Sequence, residues 1–414
     1  MDRTTGTVVV VGSSVGGVRT AQALRTEGFT GRIVLVGQEA DLPYDKPPLS
    51  KQLLAGSWDT DRITLLDTAA AEAAGIELRL GVGAARLDAA GRRIELADGT
   101  ALGYDAVVLA TGAGARPSPW ITGSGVHVLR SLTDATALRR DLDAEGPVVV
   151  VGGGFIGAEV AATARALGRD VTVVDPLRAP IGRVIGDAVA EHVTTLHHRH
   201  DVATRFGVGV EDVRGRAGDL RVRLTDGTEL RAGTVVVGIG AVPNDAWLQD
   251  SGLLVDDGVV CDEHGRAPGS PDVYAVGDVA RWYHPGLEEH RRVEHWTNAV
   301  EQAAVVAHNL VHPDDLRAHR QDGYVWSDQY DWRIQIVGRP GAATRHELLG
   351  DLDGAQARGA AVYTDDSGLL CGAVTVNWPK ALVVCRRLMG TAATFDDAVT
   401  QLAGLPARRA AGTS

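Results

Sequence analysis

The run VVVVGGGFIG, residues 148–157, decides the fold. Four successive valines, Val148–Val151, predict a strand of a parallel sheet, buried on both faces. The glycines that follow serve three needs. Gly152 makes the tight turn, Gly154 lets backbone approach a pyrophosphate, and Gly157 lets the next helix pack on the strand. That helix, expected from about Ile156 to Leu167, aims its positive N-terminal end at phosphate. A second strand, Val171–Val174, ends in Asp175, an acid placed to hold a ribose diol. A lone Gly-x-Gly-x-x-Gly is weak evidence. Strand, helix, strand and terminal acid together specify a dinucleotide-binding unit.

A second, weaker copy lies near the start. Val8–Val11 lead into Gly12-Ser13-Ser14-Val15-Gly16-Gly17, then a helix to about Glu27 and a strand Ile33–Val36. Ser14 replaces the second glycine, with a hydroxyl that can itself donate to phosphate. Gln38 stands where the ribose-binding acid is expected and Glu39 one residue beyond; either can bond a diol. Two such folds imply two dinucleotides with electron flow between them, expected to be a tightly held FAD and an exchangeable nicotinamide. The expected architecture is α/β: two Rossmann-like dinucleotide-binding domains, for FAD and NAD, plus a C-terminal α+β domain.

The 414 residues suffice for two or three domains. No apolar run reaches membrane-spanning length. The N-terminus enters the first strand almost at once without a signal-peptide core, so a cytoplasmic location is expected. With 41 basic against 53 acidic side chains the formal charge is −12, which argues against nucleic acid or an anionic membrane as partner but permits a local basic patch for an acidic protein. Cys261, Cys371 and Cys385 are far apart in sequence. They offer neither a disulfide framework nor the closely spaced redox pair that a dithiol-reducing flavoenzyme carries beside its flavin. Residues 195–200, TLHHRH, read as the polar face and end of a helix; no metal ligand set is assigned.

Between the two folds stands LPYDKPPLSK, Leu42–Lys51. Its three prolines exclude a helix before Leu49, after which Ser50 and Lys51 open a short one. A rigid loop delivering one lysine suits a cation held near the electron-rich end of a reduced flavin. ITLLD, residues 63–67, reads as a strand, and Ala69–Ala74 as a helix.

Taken in order, VVVGSSVGG, LPYDKPPLSK, LATGA, VVVGGGFIGAEVA, VYAVGDVA, VEHWTNAVEQA and VWSDQYD resemble the FAD-dependent ferredoxin and rubredoxin reductases that serve bacterial cytochrome P450 and Rieske oxygenase systems. The likeness runs from residue 7 to about 390. It implies an FAD-binding domain from 1–113 and 245–323, an NAD-binding domain from 114–244, a C-terminal domain from 324–402 and a disordered tail from 403. Ala84, Thr111, Gly112, Arg130, Gly277, Asp278 and the stretch Glu294-His295-Trp296 are then placed at FAD, with Asp278 on the ribityl chain. The helix after His295, capped by Thr297 or Asn298, would face the flavin pyrimidine oxygen. Glu159 would lie beside the nicotinamide carboxamide and pair with Lys51, and Phe155 would gate the flavin face. Ile156 joins the second glycine loop, Gly238 and Gly240 would lie along NAD, and Trp326 near the partner face. Asp175 favours NADH, since its charge repels a 2′-phosphate; nearby Arg178 tempers that preference.

The resemblance implies hydride transfer from NADH to FAD, with Lys51, Glu159 and Phe155 at the reacting groups, then single electrons to an iron–sulfur ferredoxin. Two other readings share the scaffold. One is a flavoenzyme acting directly on a small organic molecule or oxygen, for which Gln38 and the segment Gly112–Trp120 leave room; the other is a redox-sensing binder resembling the relatives of apoptosis-inducing factor. Monomer and homodimer are both compatible with the chain.

Overall fold

The computed structural model describes residues 4–120, 125–319, 323–354 and 356–405. The chain forms two compact units: Met1–Lys46, Trp58–Gly114 and Ala241–Gln321 make the first, and Pro47–Ser57, Ala115–Gly240 and Asp322–Ser414 the second.

In the first unit a six-stranded sheet runs in the order Arg266–Ala267, Ser270–Ala275, Ala106–Leu109, Thr7–Val11, Arg32–Gly37, Ile76–Leu80. All its pairings are parallel except that of the edge strand Arg266–Ala267. Val8–Val11 are almost wholly buried, as an apolar run covered on both faces must be. The chain leaves Thr7–Val11 for a neighbour on one side and later returns to the other. This reversal of strand order opens a crevice at the carboxyl ends, where α/β sheets bind ligands. The helix Val15–Thr26 buries Val18, Ala21 and Leu24 and packs along the helix Trp296–Val311.

The second unit repeats the device. Its parallel sheet runs Ala203–Phe206, Val171–Asp175, Val148–Val151, Thr234–Val237, Val126–His127, with Val148–Val151 at the reversal. The helix Phe155–Ala166 follows that strand. The same unit holds a five-stranded antiparallel sheet, Val325–Gln329, Trp332–Gly338, Leu370–Val376, Arg358–Thr364, Arg345–Asp351. Its side chains alternate between two cores. Ile334, Ile336, Val374 and Val376 pack with Ile185, Val189 and Val193. Val337, Ala360, Val362 and Ala373 pack with Leu382, Cys385 and Leu402 of the helices Pro379–Gly390 and Phe395–Ala403.

Five local expectations change. The prolines do not bar a helical turn before Leu49: a 3-10 turn spans Pro47–Ser50, because fixed φ and a missing N–H suit a first turn. Lys51 follows that turn, and its segment belongs to the second unit rather than the first. ITLLD is no strand. Thr64 makes a single bridge to Tyr44, and burial falls on Ile63 and Leu66, three apart, instead of alternating. Helix Trp296–Val311 has His295 as N-cap without a side-chain bond, while Asn298 Nδ2 donates backward to Val293 O (3.1 Å). Finally, Phe395–Ala403 is helical, with Thr394 accepting from Asp397 N–H at its start. The tail expected to be disordered is helical at residue 403, and from residue 406 it lies outside the described residues.

Candidate functional site

The first glycine loop is held by contacts that leave no room for side chains. Gly12 has φ +121°, and a Cβ there would lie 2.0 Å from Ala110 O; one at Gly17 would lie 1.7 Å from Gly12 O. Ser14 caps Val15–Thr26 without a side-chain bond. The first intrahelical bond is Val18 N–H to Ser14 O (3.0 Å), so the N–H groups of Val15, Gly16 and Gly17 have no acceptor in the helix. Three donors at a positive helix end make an anion cradle. Beyond the next strand, Gln38 is exposed with its side chain over Gly83, beside Ala84. Glu39 is held by Lys46 Nζ (3.0 Å) and the Tyr44 hydroxyl.

Other residues expected at FAD gather in this unit. Thr111 and Asn244 clamp each other: Thr111 Oγ1 donates to Asn244 O (2.9 Å) and Asn244 Nδ2 to Thr111 O (2.8 Å). Gly112, at φ +68°, offers its carbonyl to Asn244 N–H (2.9 Å). Gly277, at φ +73°, donates to Gln302 Oε1 (2.8 Å) and sets Asp278 in a 3-10 turn. Glu294 pairs with Arg292 (2.6 Å), and Trp296 Nε1 donates to Asp45 Oδ1 (2.8 Å). Burial pushes the His295 imidazole down to about 4, so it is neutral at pH 7. Its Nδ1 is buried with no hydrogen-bond partner among the described residues. An orphaned polar atom at a helix start, together with the glycine cradle, fits a polar ring system such as a flavin. Arg130 is in the second unit, before the helix Leu132–Asp143, where its backbone N–H donates to Asp134 Oδ2 (3.0 Å).

The second loop is tighter at its turn and open at its centre. Gly152 has φ +105°, and a Cβ there would meet Gly238 O at 2.2 Å; a Cβ at Gly157 would meet Gly152 O at 2.0 Å. At Gly154, φ is −69° and a Cβ would meet nothing within 4 Å. Nothing in the chain therefore demands glycine there; a close-lying ligand would. The helix begins its bonds at Ala158 N–H to Gly154 O (2.9 Å), leaving the N–H groups of Phe155, Ile156 and Gly157 without helical acceptors. Asp175 is buried and caps two turns: Oδ2 accepts from Gly153 N–H and Oδ1 from Leu177 N–H, both at 2.8 Å. Each oxygen keeps a second lone pair for a hydroxyl. Gly238 N–H donates to Val151 O (2.7 Å) and lies beside this loop, while Gly240 O accepts from Arg116 N–H (2.9 Å).

One helical turn along from the loop, Glu159 is buried in a charged network within the second unit. Lys51 Nζ approaches Glu159 Oε2 at 2.7 Å. Ser50 Oγ donates to that oxygen (2.5 Å) and Ser327 Oγ to Oε1 (2.8 Å). Gln329 Nε2 donates to Ser327 Oγ (3.2 Å), and Thr163 Oγ1 to Ser50 O (2.8 Å). A carboxylate with both oxygens bonded, and one opposite charge in contact, is held in a single geometry. Phe155 rests half-buried against the cluster containing Ile181, Ile185 and Tyr363, and Ile156 is 45% exposed. Trp326 stacks near Tyr324, with ring centroids 6.0 Å apart.

Residues 6–303 match the family model for pyridine nucleotide-disulphide oxidoreductase, and residues 324–406 match the reductase C-terminal domain. The chain is 36% identical to rhodocoxin reductase of Rhodococcus erythropolis over 389 residues, covering 93% of this chain and 89% of that one. The chain belongs to the pyridine nucleotide-disulphide oxidoreductase family. This oxidoreductase is also 37% identical to the ferredoxin–NAD(+) reductase component of the anthranilate 1,2-dioxygenase system of Burkholderia cepacia, over 94% and 95% of the two chains. Among solved structures it is similar to the ferredoxin reductase for the CYP199A2 system of Rhodopseudomonas palustris (TM-score 0.91, 31% identity, 96% and 97% covered). It is likewise similar to a chain of the covalent putidaredoxin reductase–putidaredoxin complex (TM-score 0.86, 31% identity, 97% and 99% covered).

Despite the family name, the three cysteines of this oxidoreductase form no disulfide. Burial raises the Cys261 thiol and pushes that of Cys385 up to about 12, and Cys371 is raised as well. None is a thiolate at neutral pH, so none is a nucleophile. Sequence reasoning paired Lys51 with Glu159 through the resemblance but missed Ser50, Ser327, Thr163 and Gln329. Their hydroxyls and amide carry no local pattern. Only Ser327, inside VWSDQYD, stood in a motif already singled out.

Proposed function

We propose that this oxidoreductase takes hydride from NADH onto FAD and passes single electrons to an iron–sulfur ferredoxin serving a P450 or Rieske oxygenase. The observation that carries this reading is the coexistence of two dinucleotide cradles with three separated, protonated thiols. Two cradles call for two nucleotides, and unreactive thiols leave no dithiol exit for the electrons. Ferredoxin reductases among the similar proteins support the choice of acceptor.

The first unit would hold FAD through the loop Gly12–Gly17, Gln38 or Glu39, Thr111, Gly112, Asp278 and the start of helix Trp296–Val311. The second would hold NADH through Gly152–Gly157, Asp175, Gly238 and Gly240. When bound, NADH supplies a hydride, and FAD accepts two electrons and releases them one at a time. The chain's own work is to bind, orient and neutralise. Helix N-termini receive the pyrophosphates. Lys51 supplies the positive charge that favours an electron-rich ring, and Glu159 holds Lys51 in place. Ser50 and Ser327 fix Glu159 so that its carboxylate presents one geometry to the nicotinamide carboxamide. Phe155 would cover the ring face until the nicotinamide displaces it, excluding water and oxygen. The carboxylate of Asp175 selects NADH over NADPH.

The test is anaerobic reduction of the purified yellow protein with NADH, followed by ferredoxin and a cytochrome reporter. Rapid bleaching, with the reporter reduced only when ferredoxin is present, is expected. Bleaching that no ferredoxin reverses would instead make a small organic molecule or oxygen the acceptor.

A further inference from the structure

At the far end of helix Trp296–Val311 from the FAD cradle, His308 and His312 stand one turn apart, and Glu27, which caps Val15–Thr26, reaches both. Its Oε2 is 3.0 Å from His308 Nδ1 and 3.1 Å from His312 Nε2. The three ligand atoms all lie within 4.8 Å of one another. The other nitrogen of His308, Nε2, is 2.9 Å from the Asp315 carbonyl oxygen. A carbonyl only accepts, so Nε2 carries the hydrogen. In a neutral ring Nδ1 then points a bare lone pair at a carboxylate oxygen, and two acceptors face each other. A cation must lie between them. The His308 side chain is only 4% exposed, and beyond the carbonyl the Asp315 carboxylate also lies 3.3 Å from its Nε2. A metal ion bound by all three atoms removes the conflict with both rings neutral.

We propose that Glu27, His308 and His312 form a structural site for a divalent transition-metal ion of the zinc type. Two imidazoles and one carboxylate suit such an ion, and the helical i,i+4 spacing sets both rings on one face. The Nε2–H bond to the Asp315 carbonyl is the outer bond that a ligating histidine makes. His312 is 43% exposed and Glu27 26%, which provides an entry path and room for water at the fourth position. The sixteen-residue helix separates this end from its N-terminus by roughly 24 Å. The ion would therefore tie Val15–Thr26 to Trp296–Val311 without joining the redox chemistry. The inference is independent of the proposed electron acceptor.

The experiment is calorimetric titration of untagged, EDTA-treated flavoprotein with Zn2+ at pH 7.5, with thermal melts alongside. One equivalent is expected to bind with micromolar or tighter Kd and to raise Tm. His312→Ala, at a half-exposed position that leaves the fold intact, and Glu27→Gln should each weaken binding by about tenfold or more and abolish the rise in Tm. NADH reduction of the flavin should be unchanged in both. No stoichiometric binding, or undiminished binding in His312→Ala, overturns the proposal; the first result would make the cluster a proton-held clasp.

Discussion

Glu159 accepts from Ser50 and Ser327 and touches the Lys51 ammonium, all in a site where its side chain is 6% and that of Lys51 12% exposed. Breaking one side of such a pair leaves an uncompensated buried charge. Glu159→Gln should therefore cost roughly 3 kcal/mol in denaturant melts, because Lys51 loses its counter-ion. The double variant Lys51→Met with Glu159→Leu should recover most of that stability while anaerobic flavin reduction stays at least about tenfold slow. Recovery of both would make the pair a structural feature alone. Asp175 separates binding from stability in another way. On the proposed ribose assignment, Asp175→Ala should raise the NADH KM by about tenfold with FAD retained, since it removes a diol acceptor as well as the bonds to Gly153 and Leu177 N–H. An unchanged KM would sink the ribose assignment. At this scale the sequence was readable where local structure follows from immediate neighbours, as with Asp175 ending the strand Val171–Asp175. Ser50 and Ser327 lie 109 and 168 residues from Glu159, and nothing near them in the chain marks their partner.

At the scale of the element, both cradles are strand–turn–helix units whose glycines answer two different demands. Gly17 and Gly157 meet backbone oxygens of their own turns, so the fold needs them. Gly154 meets nothing within 4 Å and has φ −69°. Gly154→Ala should fold with the wild-type Tm and yet bind NADH about tenfold or more weakly, because only a ligand would occupy that space. Gly17→Ala, by contrast, should yield protein that is destabilised and purifies largely colourless. Equal NADH affinity in wild type and Gly154→Ala, measured by flavin reduction kinetics, would remove the second loop from the nicotinamide site. Elements with a strong period were legible to within a residue or two: the helix expected from 156 to 167 spans Phe155–Ala166. Two were not. ITLLD has the composition of a strand, but no neighbouring strand pairs with it beyond one bridge. Phe395–Ala403 has only nine residues, too few to stand out by periodicity. It exists because Phe395, Ala398 and Leu402 fill the core beneath the C-terminal sheet.

Across the whole molecule, each unit contains a histidine whose pKa burial lowers. Burial pushes His197 down to about 4, with the Tyr330 hydroxyl on its Nδ1 at 2.8 Å, and pushes His295 down to about 4. In the unfolded chain both titrate near 6.5. Below that value the unfolded state gains protons that the folded state refuses, so stability is full above about pH 6.5 and falls as pH drops toward 4. The loss is roughly 1–2 kcal/mol per histidine at pH 5, and it should appear as a falling Tm between pH 7 and pH 5 that His197→Gln makes shallower. An identical slope in that variant would show that folding does not lower the His197 pKa. What the sequence determined by itself was the α/β class, the two nucleotide cradles and the C-terminal strand-and-helix region. These rest on periods of 2 and 3.6 and on glycine turns, which act over a few residues. What only the tertiary structure decided was which distant polar groups meet: Lys51 and Ser50 on Glu159, Ser327 closing the network, and Glu27 between His308 and His312. Such meetings follow from sheet order and helix packing, and a burial-driven fold brings them about without leaving a local trace in the chain.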